Sequence, residues 1–313
     1  MNRIYTIAFY NIENLFDLEN DPRTNDDDFL PTSHKRWTPK RYENKLRKIG
    51  SVISKIGEDD HDEAPVIVGL AEVENKTVLN DLVKSEHLID EDYSYVHYDS
   101  ADERGIDVAL LYKSDVFEVT SSETFSVYLQ DDDGQRDYTR DILLVEGRLN
   151  DENIAILVNH WSSRRDGEKV TEPKRIAAAK KVNSIIRNLK TKSENMKILV
   201  MGDFNDNPDN HSVELMEDES GLFNPFKTVW SKDKGSLNHD FEWNLFDQIL
   251  FTTNIFDRNN SFLTYHDADV FDDRSLTQFR GKFKGQPFRT YVGKKYKGGY
   301  SDHFPVFIEL KSN

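Results

Sequence analysis

The sequence contains no cysteine. Disulfides, thiolate-held zinc and iron–sulfur clusters are therefore excluded. With 313 residues the chain can bury enough apolar surface to fold without such staples. A single α/β sandwich absorbs this length, so one large domain over residues 1–313 is expected. Also missing is any apolar run near the roughly 20 residues needed to span a bilayer. Met1 to Tyr10 lacks the charged-then-apolar pattern of a secretion signal and reads directly as a strand. Cytoplasm is the literal expectation, and secretion the alternative if a leader has been removed. Positive charge is scarce: 41 Lys+Arg stand against 57 Asp+Glu, a formal net charge of −16. A protein that coats nucleic acid carries the opposite sign, because phosphate neutralisation drives its affinity. An acidic hydrolase can still take a phosphate where a divalent cation and a few local Arg and His residues supply positive charge.

What is present is an alternation of two kinds of segment. β-Branched or aromatic runs at Ile4–Tyr10, Pro65–Leu70, Tyr93–Tyr98, Asp107–Tyr112, Ile142–Leu149, Asn153–Asn159, Lys197–Met201, Leu245–Phe251 and Phe304–Leu310 predict strands. Several are apolar nearly throughout, as strands covered on both faces are. Thr38-Pro39 is a helix start signal, followed by Tyr42, Leu46, Ile49, Ile53 and Ile56 at helical spacing. A second helix is predicted from about Thr171-Glu172-Pro173, burying Ile176, Ala179, Val182, Ile186 and Leu189, and a third over about Lys76 to Lys84. A strand at Thr124–Leu129 with no helix after it predicts antiparallel pairing in a mixed sheet. Residues Asn254 to Gly299 are polar, rich in Gly and aromatics, and read as a long ordered insertion of the kind that is often functional. The expected fold is α/β (α+β): a four-layer sandwich, two mixed β-sheets packed face to face with helices outside.

The strand ends are unusually polar. Tyr10-Asn11 ends the first strand, Leu70-Ala71-Glu72 the second and Asn159-His160 another. Gly202-Asp203-Phe204-Asn205 follows Lys197–Met201, Asp247 sits inside Leu245–Phe251, and Ser301-Asp302-His303 precedes the last strand. Taken singly, an Asn or Glu at a strand end is more often a turn or cap, and Gly-Asp-Phe-Asn reads equally as a turn. Asp247 is different, because a carboxylate within an apolar strand is costly unless a histidine or a metal meets it. Strand ends of a layered sheet converge on one rim. Two histidines with several carboxylates and amides would there form an oxygen-rich site suited to Mg²⁺, Mn²⁺ or Ca²⁺ rather than Zn²⁺.

The ordered set Tyr10-Asn11-Ile12-Glu13-Asn14, Gly69-Leu70-Ala71-Glu72-Val73, Asn159-His160-Trp161, Gly202-Asp203-Phe204-Asn205, Phe246-Asp247-Gln248-Ile249-Leu250 and Ser301-Asp302-His303-Phe304-Pro305-Val306 resembles the endonuclease/exonuclease/phosphatase superfamily. That superfamily includes pancreatic-type deoxyribonuclease, abasic-site endonucleases, bacterial sphingomyelinases and inositol polyphosphate 5-phosphatases. The resemblance implies metal-dependent hydrolysis of a phosphoester, with Mg²⁺ the expected ion and Mn²⁺ or Ca²⁺ its substitutes. Glu72 would be the principal metal ligand, with Asn11 beside it and Asp302 closing that side. His303 would touch the scissile phosphate, oriented by Asp247. Asp203 would orient or deprotonate the attacking water, and Asn205 would donate to a phosphate oxygen. His160 resembles the second histidine of the deoxyribonuclease and sphingomyelinase branches, and Asp107 is the candidate that orients it. Arg140 resembles an arginine that grips substrate phosphate in the deoxyribonucleases; Arg104 could do the same, and reads equally as a surface salt bridge. Asn11–Asp17, Lys35–Pro39, Val73–Leu79 and Pro287–Pro305 look most like secreted-type bacterial nucleases, so nucleic acid is the first expected substrate. A small-molecule or lipid head-group phosphoester is the alternative, favoured by the acidic charge. The expected species is a monomer.

Overall fold

The computed structural model describes residues 3–58, 63–131, 133–150, 152–258 and 262–312. Strand β1 (Ile4–Leu15) is buried almost from end to end, as its apolar run requires. It lies parallel to β2 (Ile67–Val73), and the connection between them carries helix α1 (Pro39–Ile53). Thr38 holds an extended N-cap backbone and Pro39 opens α1, although the Thr hydroxyl makes no capping bond. Helix α2 (Lys76–Val83) is capped by Asn75, whose side chain accepts from the N–H of Thr77 and of Val78. Next come β3 (Tyr93–His97), β4 (Asp107–Lys113), β5 (Phe117–Phe125), β6 (Ile142–Leu149) and β7 (Glu152–His160). Helix α3 (Glu168–Lys192), β8 (Lys197–Asp203), α4 (His211–Ser220), β9 (Leu222–Phe223), β10 (Asp247–Thr252), β11 (Leu263–Val270) and β12 (Val306–Ser312) complete the frame.

The strands form two six-stranded sheets, ordered β11-β12-β1-β2-β4-β3 and β9-β10-β8-β7-β6-β5. Each is mixed: β1–β2 and β7–β8 are the parallel pairs, and the other neighbours run antiparallel. Strand β8 shows why the layers stack. Leu199 and Met201 join the core between the sheets, while Ile198 and Val200 join a second core under Ala179, Val182 and Ile186 of α3 and Val213 and Met216 of α4. Alternate side chains point to opposite faces, so a strand apolar at every position must be covered twice. On the far side α1 covers the other sheet with Leu46, Ile49, Val52 and Ile53. The four-layer α/β sandwich is the observed fold.

Three local expectations need correction. Helix α3 begins at Glu168 rather than near Pro173, which lies inside it. The carbonyls of its first turn are met by side chains, Thr171 Oγ1 donating to Gly167 O and Arg175 Nη2 to Glu168 O. The strand expected at Thr124–Leu129 is instead β5, which ends at Phe125; its largely exposed, polar outer strand hid the earlier residues. The polar stretch 254–299 is not all insertion, because β11 lies within it and pairs along β12. An edge strand tolerates polar side chains, which removes the apolar signal. No helix among the described residues is long and apolar enough to cross a membrane.

Candidate active site

Register brings the polar strand ends together. Parallel β1 and β2 pair Asn11 with Ala71, so Asn11 and Glu72 leave the sheet at the same edge. Antiparallel β12 enters there, with Val306 beside Phe9 and Asp302-His303 just before it. In the other sheet Asp203 pairs with His160 on one side and Asp247 on the other. Parallel strands contribute their C-terminal ends to this rim and antiparallel neighbours their N-terminal ends.

The edge is irregular where chemistry needs it. The β1–β2 register shifts between Asn11 and Leu15, and Glu13, Asn14 and Glu72 take positive φ (51°, 55° and 67°). Such backbone costs about 1–3 kcal/mol per residue and persists only where neighbours hold it. Here the Asn14 N–H donates to Glu72 Oε2 at 2.8 Å, and the Glu13 N–H to Asn11 Oδ1 at 3.1 Å. Asn205 is also left-handed (φ 51°), its N–H turned back to Asp203 Oδ1 at 2.9 Å.

The two sheets meet through Asp203. Its Oδ2 accepts from Asn11 Nδ2 at 3.0 Å and lies 4.0 Å from His303 Nε2 and 3.8 Å from His160 Nε2. Asp247 is fully buried, and its Oδ2 lies 2.6 Å from His303 Nδ1. Burial opposes charge on His303, yet Asp247, and then Asp203 and Asp302, raise the ring well above its ordinary range. At neutral pH His303 is an imidazolium. His160 is the opposite: burial, with Arg140, Arg104 and His303 nearby, holds it well below that range, so it is neutral. Burial and Asp247 push the Asp203 carboxyl up to about 7, against the pull of His303 and the Asn11 and Asn205 donors. Two histidines of opposite charge state and a carboxyl poised near neutrality share a few ångströms, a pattern typical of proton-transfer chemistry.

Beside this triad lies an all-oxygen cluster of Asn11, Glu13, Glu72 and Asp302. Glu13, Glu72 and Asp302 all act electrostatically on the same two cations, Lys45 and Arg289. Arg289 Nη2 donates to Asp302 Oδ2, and its Nε lies 3.5 Å from Glu13 Oε1. Arg104 Nη1 lies 3.7 Å from Glu72 Oε1. Carboxylates that attract every available cation, offering oxygen alone, fit a hard divalent ion.

Some expected roles change on contact with the geometry. Asp107 makes no hydrogen bond to His160. Its carboxylate accepts from the Ser100 N–H at 3.1 Å, while His160 Nδ1 is buried without a partner. The loop between β3 and β4 turns Asp107 toward its own hairpin. Arg140 is braced rather than open, with Nη1 on Asp102 Oδ2 at 3.0 Å and Nη2 on Trp161 O at 2.7 Å. It contributes field at His160 more than a free fork. Arg104 is the more exposed of the two, one nitrogen donating to Asn14 Oδ1. Asn205 Nδ2 donates to Trp161 O at 3.1 Å, leaving its second N–H for another acceptor.

Glu13, Lys45 and Asp102 were not found from sequence, nor was the place of Arg289 beside Glu13 and Asp302. Glu13 was visible within a polar run ending an apolar strand. The other three carry no local signal, because a cation's partner lies far along the chain. Arg289 is set in place by the next residues: the N–H groups of Thr290 and Tyr291 donate to Glu13, and Lys45 Nζ donates to Thr290 Oγ1 and Tyr300 O, both at 2.6 Å.

The family model described as Endonuclease/Exonuclease/phosphatase family matches residues 6–312. No curated protein matches the sequence. Among solved structures, an endonuclease/exonuclease/phosphatase family protein from Bacteroides thetaiotaomicron is 17% identical with a TM-score of 0.64, covering 100% of this chain and 96% of that one. A Bacteroides thetaiotaomicron mannosyl-6-phosphatase is 18% identical with a TM-score of 0.60, covering 98% and 99%. D. rerio TDP2, in complex with a single-strand DNA product, is 12% identical with a TM-score of 0.59, covering 98% of each chain. These likenesses show a shared fold.

Proposed function

The chain belongs to the endonuclease/exonuclease/phosphatase family, and from that premise we propose that it is a divalent-metal-dependent phosphodiesterase acting on nucleic acid. One observation carries the hydrolytic reading: the His303 ring, fixed by fully buried Asp247, faces Asp203 across the two sheets.

Water attacks phosphorus in line, a P–O bond forms, and the bond to the leaving oxygen breaks. Asp203 orients the water and takes its proton. His303 donates to the phosphoryl oxygen that gains charge, and Asp247 keeps its ring charged and aligned. Neutral His160 serves as a second donor, and Asn205 offers its remaining amide N–H to the same phosphate. Glu72, Asn11 and Asp302 would hold Mg²⁺, or Mn²⁺ or Ca²⁺ in its place, which would supply Lewis-acid stabilisation of the phosphate charge. Arg104, and Arg140 through its field, add positive charge at the rim. The site draws on both sheets from Asn11 to His303, so the chain acts as one catalytic unit and a monomer suffices.

Nucleic acid is favoured by the surface next to His303. Phe241 and Phe283 are exposed and stacked, their ring centroids 5.7 Å apart and their planes 3° from parallel. Phe241 lines a cleft with Lys282, Lys284 and Phe304, the residue after His303. Exposed aromatic faces flanked by cations suit unpaired bases along a phosphate backbone. The second reading, a phosphatase of a small phosphomonoester, is favoured by the net charge of −16, which repels long polyanions.

A panel of plasmid DNA, single-stranded DNA, RNA, bis-p-nitrophenyl phosphate, p-nitrophenyl phosphate, inositol phosphates and sphingomyelin, with Mg²⁺ or Mn²⁺, tests this. Nucleic-acid cleavage that EDTA and His160→Ala abolish, and whose KM rises in Phe241→Ala, is the expected result. Turnover of monoesters alone would reject the nuclease.

A further inference from the structure

Beside the catalytic rim, where Asp107 pairs with Val73, the hairpin of β3 and β4 holds a group of side chains that could take a metal ion. His97 ends β3, Asp99 follows two residues later, and Asp107 opens β4. His97 pairs with Ala109, so Asp107, two residues before Ala109, and Asp99, two after His97, lie on the face that His97 occupies. One donor atom from each of the three side chains lies within 4.8 Å of the others. His97 Nδ1 is 3.8 Å from Asp99 Oδ1.

The histidine itself points to a ligand. It is 4% exposed, and neither ring nitrogen has a hydrogen-bond partner. A buried polar group without a partner costs about 1–3 kcal/mol, so such a group calls for an explanation. Burial lowers the ring to about 4, so at neutral pH it keeps a free lone pair. Asp107 is 4% exposed, whereas Asp99 reaches solvent, and both line a cleft of about 780 Å³ through which an ion and its water can enter.

We propose that His97, Asp99 and Asp107 form a zinc site separate from the catalytic centre. One imidazole with two carboxylates neutralises a dication and leaves a fourth position for water. An imidazole ligand disfavours Ca²⁺ and Mg²⁺, which take oxygen alone, and the donor set suits Zn²⁺. Tetrahedral Zn²⁺ with bonds of about 2 Å places its ligands roughly 3.3 Å apart, a small contraction from the observed spacing. The ion clips both ends of the loop 98–106. That loop carries Asp102, which braces Arg140, and Arg104, which reaches Asn14 and Glu72. The site is therefore a staple that orders the two rim arginines.

The test is equilibrium dialysis of the chelator-stripped full chain against Zn²⁺ alone, read without any activity assay. His303→Gln with Asp302→Asn first removes a ligand from each group at the catalytic rim, which separates this proposal from the hydrolytic reading. That double variant should retain one Zn²⁺ and gain melting temperature from it. Adding Asp99→Asn, an exposed position whose amide leaves the fold intact, or His97→Gln should weaken Zn²⁺ at least tenfold and raise hydrogen exchange in residues 98–106. No Zn²⁺ on the double variant, or unchanged affinity after Asp99→Asn, overturns the site.

Discussion

Replacing Asp247 with asparagine removes one charge and almost no volume from a position with no solvent exposure. Two consequences should diverge. The carboxylate Oδ2 accepts from His303 Nδ1 at 2.6 Å, and a hydrogen bond to a charged group contributes about 1.5–3 kcal/mol. If that bond holds His303 as the imidazolium facing phosphate, its loss lowers kcat/KM by roughly 10- to 150-fold, at about 1.4 kcal/mol per decade. Stability should move the other way or stay still. Asp247 Oδ1 is buried without a hydrogen-bond partner, and the charge sits directly across from Asp203 in the β8–β10 register. An amide relieves both the desolvation and that repulsion. Steady-state kinetics with bis-p-nitrophenyl phosphate gives the first quantity, and urea unfolding with a matched m-value the second. An Asp247→Asn protein with kcat/KM within about threefold of the parent would refute the coupling. A large fall in stability would refute the claim that the charge is held at a cost.

Gly202→Ala should destabilise the chain by about 1–3 kcal/mol in urea unfolding, because its Cβ would lie 2.5 Å from Asn159 O and 2.7 Å from Asn159 Cβ. A loss under about 0.5 kcal/mol would show that β7 and β8 can part at the catalytic edge. Lys45→Met should cost about 3 kcal/mol or more, since Lys45 is 1% exposed and offsets Glu13, whose carboxyl burial raises to about 7. Adding Glu13→Gln should restore part of that loss; strictly additive losses would show that the two charges are independent.

The apolar periodicity of β1, β2, β7, β8 and β10, and of α1 and α3, was legible because it depends on neighbours one to four residues away. Edge elements were not. Strand β5 and strand β11 are half solvated, so their composition matches that of a loop. Of the candidate site, Asp247 stood out by itself as a carboxylate inside an apolar strand, whereas Asp203, Asn205 and His303 stood out through the ordered motifs that resemble the family. The same signal could not separate Asp107 from them, since it sits at the same edge but turns into its own hairpin. Nor could it show Arg140 already held by Asp102 and Trp161.

The amino-acid sequence by itself determined that this chain is a two-sheet sandwich with polar strand ends, because burial on two faces demands near-continuous apolar strands. The tertiary structure alone decided which polar ends meet. Register set Asp203 between His160 and Asp247, and sheet packing brought Asn11 and His303 across to it. Charge state followed from the same packing, since His303 gained a hydrogen bond to buried Asp247, while burial and nearby cations hold His160 neutral. Distances across a core and the burial of charge are properties of the packed layers, and no local pattern of residues encodes them.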